Sequence, residues 1–185
     1  MDIYELLKKD HRKVDQLFSK IKKHLEEKDF SSASDLFEEM KIELGSHAKA
    51  EEEVFYEPLR QASRGEKDLD LVGEAKEEHH VVALLLNELS RLDVSEEEWK
   101  AKLTVLSEMV EHHVEEEEEE VFKRAKRLFS DEDAEQMAEN MKNLKEEYKG
   151  DIDSALAEDV HLLMNPSMKQ RKTGSQESLT DRKLN

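Results

Sequence analysis

The sequence predicts an all-α protein, an up-down-up-down four-helix bundle with an additional C-terminal helix and a disordered tail. Three observations predict it. Only five Gly and two Pro interrupt 185 residues that are otherwise rich in Glu, Lys, Leu and Ala, so helix is the one regular structure the composition favours. Apolar residues recur at three- and four-residue steps over long stretches, the period of a single helix face. The stripes also fall into two pairs of nearly equal length, as two helical hairpins would. A chain of this size holds one domain with a real core and is too short for two.

The first helix runs from about Asp2 to Lys28, with Leu7, Val14, Phe18, Ile21 and Leu25 on one stripe. Asp29 and Phe30 break it. A second helix starts at Ser31 or Ser32, both good N-caps, and passes Leu36, Met40 and Leu44 to the region of Pro58 or Ala62. Gly45 lies inside it and marks a place for a bend. Residues 63–68, with Gly65, form a loop. A third helix spans Leu69 to Leu92 on a stripe of Val72, Ala75, Val82, Leu86 and Leu89. Ser95 with Glu98 has the capping-box pattern that opens a fourth helix, reaching Phe129. Ser130 with Asp133 starts the additional helix, which Gly150 ends. Residues 1–150 are thus assigned to the bundle and 151–185 to a weakly structured or disordered tail. Within that tail a short helix at Ser154 to Leu163 has little support, and the stretch after Pro166 has few apolar residues.

Charge and missing residue types exclude several functions. The formal net charge of −18 opposes binding to nucleic acid, which is driven mainly by neutralisation of phosphates with Lys and Arg, and it opposes an anionic membrane surface. No cysteine is present, which removes thiolate metal sites, cysteine nucleophiles and iron–sulfur clusters. The first residues alternate charge with apolar groups and contain no uninterrupted apolar run, so neither a signal peptide nor a membrane span is expected and a cytoplasmic location is the default.

The chain carries an internal repeat. His11 and His79 are each followed by Val at +3, by Phe18 or Leu86 at +7, and by Ile21 or Leu89 at +10. His47 is followed by Glu51 and then Val54-Phe55, and His113 by Glu117 and then Val121-Phe122. The plan is therefore His, then His-x-x-x-Glu, given twice, with 36 residues from His11 to His47 and 34 from His79 to His113. Residues four apart share a helix face. His11 sits between Leu7 and Val14, His79 between Ala75 and Val82, and His113 continues the stripe of Leu103, Leu106 and Val110. All six polar side chains should point into the bundle, where an ionised carboxylate is costly unless paired or coordinated. A lone histidine on an apolar face is more often a packed core residue. Four at repeated registers with two glutamates point instead to a pair of divalent cations. A nitrogen and oxygen ligand set without sulfur, inside four helices, favours a carboxylate-bridged di-iron pair with an oxo or hydroxo bridge; zinc or manganese remains open. His80 and His112 are left as supporting or exposed neighbours, although each stays an alternative to His79 and His113. Of the runs Glu51–Glu53 and Glu115–Glu120, only Glu51 and Glu117 are read as inward, with Glu116 the next candidate. His24 and His161 are read as surface residues, and Tyr4, Tyr56 and Trp99 as packing.

The ordered motifs His11, His47-x-x-x-Glu51, His79 and His113-x-x-x-Glu117, with the stretches HAKAEEEVFYEPL and HHVEEEEEEVF, resemble the hemerythrin-like, or HHE cation-binding, domain over residues 1 to about 145. The resemblance implies a non-haem di-iron centre that binds or senses O2, NO or peroxide. It also carries a departure: oxygen-carrying hemerythrins have a His-x-x-x-His pair on the third helix, where this chain has Ala75 and Ala83 four residues either side of His79. One histidine fewer leaves an additional exchangeable position and argues against simple reversible O2 carriage. A di-iron oxidoreductase acting on peroxide or NO, and an iron- or zinc-handling protein, are the alternatives. No general acid, base or nucleophile stands out besides the ligands, and the sequence identifies no protein partner.

Overall fold

The computed structural model describes residues 1–164, and all regular structure among them is helical. The carboxylate of Asp2 accepts the Glu5 N–H at 2.8 Å and opens helix α1 (Ile3–Glu26). The chain reverses through Lys28, whose φ of 60° is left-handed, while the Asp29 N–H donates to the His24 carbonyl at 2.8 Å. Asp29 then caps α2 (Phe30–Glu51) by accepting the Ser32 N–H at 3.2 Å. The cap is therefore Asp29 rather than Ser31 or Ser32, since a residue that ends one helix here also begins the next.

Helix α2 runs unbroken through Gly45 and continues through a π turn (Glu52–Tyr56) into α3 (Glu57–Ala62). Helix α4 (Glu66–Leu89) starts from Gly65, earlier than the predicted Leu69, and ends before Leu92. The predicted capping box at Ser95 does not form. The Ser95 N–H donates to Asp93 Oδ1 at 2.8 Å, and α5 (Glu97–Glu116) begins from Glu96 with no side-chain cap. Helix α5 passes through a second π turn (Glu117–Val121) into α6 (Phe122–Ala125). The Ser130–Asp133 box does form, with the Asp133 N–H donating to Ser130 Oγ at 3.2 Å, and opens α7 (Asp131–Lys149).

Helix α8 (Ile152–Met164) lies beyond the boundary drawn at residue 150, yet Ile152 and Leu156 are buried in the core. Gly45 explains how. A Cβ there would stand 2.8 Å from Ile152 Cδ1, so the glycine that suggested a bend provides room for α8 against α2. The reading of a disordered tail after Pro166 lies outside the described residues.

Two apolar clusters fill the bundle. One holds Val14, Phe18 and Ile21 of α1, Phe37 and Met40 of α2, Leu86 of α4, and Trp99 and Leu106 of α5. The other holds Ile3 and Leu7 of α1, Phe55 and Tyr56, Val72 of α4, Phe122, and Met141 of α7. Helices α1, α2 and α4, and α5 with its continuation into α6, cross from one cluster to the other, and the predicted ligands sit where they cross. Helix α7 packs across α1 and α2, and α8 across α4 and α2.

Candidate metal centre

Between the clusters lies a polar layer. His11, His47, Glu51, His79, His113 and Glu117 are each between 0% and 8% exposed, so the fold buries all six predicted residues together. The helical period accounts for this. His11 stands one turn after Leu7 and one before Val14, both buried, and the other three histidines extend buried stripes in the same way.

The inner nitrogens converge on the carboxylates. Glu51 Oε2 lies 3.4 Å from His47 Nε2 and 3.5 Å from His79 Nε2. His11 Nε2 is 3.2 Å from Glu117 Oε2, and His79 Nε2 is 3.2 Å from His113 Nε2. Two triads result, His11–His47–Glu51 and Glu51–His79–His113, in each of which the ligand atoms lie within 4.8 Å of one another. Glu51 belongs to both. A third group, Glu78–His112–Glu116, lies at the surface with His112 66% exposed, and Glu78 there is already committed to His113.

The outer nitrogen of every ring faces an acid. His11 Nδ1 donates to Glu118 Oε1 at 2.9 Å, His47 Nδ1 to Asp10 Oδ2 at 3.3 Å, and His113 Nδ1 to Glu78 Oε2 at 2.8 Å. His79 Nδ1 approaches Glu52 Oε1 at 3.3 Å. Each acid is the sequence neighbour of a ligand yet serves the histidine of the next helix: α1 orients α2, the π turn after α2 orients α4, α4 orients α5, and the π turn after α5 orients α1. Such partners fix which nitrogen carries the proton and leave the Nε2 lone pairs facing inward. Burial works against the charge of these four acids, but their histidine partners outweigh it and hold all four below the usual carboxylate range. Asp10 is held further by Lys145 of α7, whose Nζ lies 2.6 Å from Asp10 Oδ2 although the lysine is buried.

Left to themselves the inner groups are poorly matched. Burial pushes the Glu51 carboxyl well up, and the facing Glu117 adds to it. Burial acts on Glu117 in the same sense, but His11 outweighs it and keeps Glu117 low. Burial pushes His79 down to about 4, against Glu52 and with the help of His113. For His11 and His113 burial is overturned, by Glu117 and Glu78 respectively, and both end above the ordinary imidazole value. Both oxygens of Glu51, Glu117 Oε2 and His11 Nε2 are buried without a hydrogen-bond partner, and so is His79 Nδ1, which Glu52 faces at 3.3 Å without closing a hydrogen bond. Unpartnered buried carboxylate oxygens are expensive. Nitrogen and oxygen donors converging with free lone pairs fit a pair of divalent cations.

Sequence reasoning missed five residues. Asp10, Glu52, Glu78 and Glu118 lie off the apolar stripe of their own helices and read as solvated charge; their signal was adjacency to a ligand on a helix that neighbours another ligand helix. Tyr56, read as packing, is fully buried and donates its hydroxyl to Glu117 Oε1 at 3.1 Å. The corresponding position after the second His-x-x-x-Glu is Phe122, so this bond is made on one side of the repeat only. Trp99 does pack, with Nε1 donating to the Leu89 carbonyl at 3.2 Å.

On the other side of the histidines lies an internal cavity of about 20 Å³, room for one water-sized guest. Besides the four rings its walls include Val14, Leu44, Val82, Val110 and Val114.

Comparison with known proteins bears on the fold and on cation binding. The profile of the hemerythrin HHE cation binding domain matches residues 2–125. A DNA nickase from Nostoc sp. is 30% identical over 145 residues, which are 78% of this chain and 39% of that protein. This chain thus spans about two-fifths of the length of that curated relative. The crystal structure of a hemerythrin HHE cation binding domain-containing protein from Mycobacterium kansasii superposes with a TM-score of 0.66 at 25% identity, covering 86% of this chain and 99% of the other.

Proposed function

Because this chain belongs to the hemerythrin HHE cation-binding domain family, we propose that its six buried ligands hold a di-iron pair which binds or senses a small molecule such as O2, NO or peroxide. His11, His47 and Glu51 would hold one ion and His79, His113 and Glu51 the other, with Glu117 joining at the His11 side. Two ions so held supply open coordination positions and a change of valence to a small ligand.

The observation that carries this reading is the cavity. Its free space adjoins the four rings, and its remaining walls are largely valine and leucine. An apolar chamber of that size excludes a hydrated ion and accepts a small guest. The protein's own residues do the rest. The four outer acids hold the rings in register, and the Tyr56 hydroxyl fixes one oxygen of Glu117. Burial, with Glu117 alongside, keeps that phenol well above its ordinary value, so it stays a donor at neutral pH.

The nicking activity named for the Nostoc relative does not transfer well to this chain. The chain spans 39% of that protein, and its net charge of −18 opposes phosphate backbones.

The deciding experiment is elemental analysis of the purified protein with optical spectra before and after exposure to air and to NO. Two irons per chain and a spectrum that changes with NO are expected. Stoichiometric zinc with no oxidisable centre would replace this reading with metal handling. Sustained consumption of peroxide or NO in the presence of a reductant would make the protein an enzyme.

A further inference from the structure

We infer that small ligands reach the centre through the seam between α1 and α5, and that the acidic mouth of this seam favours uncharged molecules over anions. The inference rests on the ligand-binding role proposed above and specifies its substrate class.

The other seams of the bundle are closed. Helix α7 lies across α1 and α2, α8 lies across α4 and α2, and α4 packs directly on α5. Between α1 and α5, among the described residues, no helix lies across the gap, and a groove of about 570 Å³ opens there. Groove and internal cavity share His11, Val110 and Val114. The wall between solvent and the chamber beside the four rings is therefore the His11 ring and two valines, of which Val114 is only half-buried. Side chains of this size fluctuate on the picosecond to nanosecond scale, fast enough to pass a diatomic molecule; a larger side chain at Val114 would close the gap.

Charge decides what approaches. Five carboxylates line the groove, among them Glu111, Glu115 and Glu119, against two bases, Arg12 and Lys22. Lys22 is drawn toward α5, where its Nζ donates to Ser107 Oγ at 2.9 Å. A cleft of one dominant sign concentrates its field and changes association rates of charged ligands by about 10 to 1,000-fold. An anion is slowed at this mouth, and the effect fades as salt screens it. O2, NO and undissociated hydrogen peroxide carry no charge and are not slowed.

Stopped-flow association of NO and of azide with the iron-loaded protein tests this. Val114→Phe is expected to slow both ligands by a common factor, since a blocked gap ignores charge, while iron content and the resting spectrum stay as in the wild type. Glu115→Gln with Glu119→Gln is expected to accelerate azide several-fold at low salt and to leave NO unchanged. Added salt should do the same to the unaltered protein, so this arm depends on no variant. NO entering Val114→Phe at the wild-type rate would overturn the route. Azide indifferent to both salt and the glutamine changes would overturn the selection by charge. Failure of the loaded wild type to bind either ligand would instead remove the binding role itself, and this inference with it.

Discussion

An imidazole has two nitrogens, and at four positions this fold gives them different work. Nε2 faces the centre; Nδ1 faces an acid that belongs to another helix. The inner half of that arrangement could be read from the sequence, because ligands must lie on the buried stripe and the stripe has a 3.6-residue period. The outer half could not. Asp10 is rotated about 100° from His11 on α1, so it looks solvent-facing until α2 is placed beside it and His47 comes within 3.3 Å. The same pairs set the proton inventory. In the metal-free protein Glu117 and Glu78 hold His11 and His113 above the ordinary imidazole value against burial, so a cation competes with protons at both rings, and at the Glu51 carboxyl, which burial raises, whereas His79, at about 4, has none to give. Affinity for Zn(II) should therefore fall as pH drops through the raised values. Chelator competition measured between about pH 6 and 8 tests it, and a flat profile there would refute the assignment of charge to those two rings.

At the scale of elements, the duplicated motif produces duplicated backbone geometry. Both His-x-x-x-Glu helices widen to a π turn at the glutamate or one residue past it, where the Glu57 N–H reaches the Glu52 carbonyl and the Phe122 N–H reaches that of Glu117. The wider turn brings two consecutive side chains, Phe55 with Tyr56 and Val121 with Phe122, into the core, and π turns of this kind recur at functional sites. No propensity or stripe announces such a turn, so the helices were legible and their widening was not. Helix α8 was hidden for another reason: its support is Gly45, more than a hundred residues away, which reads locally only as a weak point. Helix α7 was visible from its capping box, but its reach into the centre was not. Lys145 is buried, touches Asp10 at 2.6 Å, and through it His47. Replacing Lys145 by Met leaves the half-buried Asp10 carboxylate with His47 alone, so the metal-free protein should lose about 1–3 kcal/mol in urea unfolding, and Zn(II) affinity should fall about 10-fold or more as Asp10 holds His47 less firmly. Adding Asp10→Asn should restore much of the stability and none of the affinity. Unchanged affinity in Lys145→Met would mean that α7 only packs.

Over the whole molecule the polar layer divides the core. Two apolar clusters, each touching α1, α2, α4 and the continuous helix of α5 and α6, are separated by six buried polar side chains whose inner oxygens and nitrogens are only partly satisfied by hydrogen bonds. The fold is thus stable enough to hold the layer and strained by it, as sites built for a ligand often are. Glu51 concentrates the conflict, being fully buried, part of both triads and opposed by Glu117. Its value in the folded, metal-free chain lies above the 4.5 of an unfolded carboxyl. The folded state then binds the extra proton, so its contribution is fully present below about pH 4.5 and is lost as pH rises through the raised value. A bound cation pair removes that penalty by taking the proton's place. Chelation should therefore lower the melting temperature of the wild type at about pH 8. Glu51→Gln, which cannot ionise, should in the metal-free state be more stable than the wild type at that pH by about 1–4 kcal/mol and indistinguishable from it near pH 4. It should also gain little from added metal. Calorimetric scans at the two pH values, with and without chelator, separate these effects. A wild type whose melting ignores chelator, or a Glu51→Gln variant that melts below the metal-free wild type at the higher pH, would mean that the layer is a satisfied structural network and that the bundle does not depend on a cation to join its two halves.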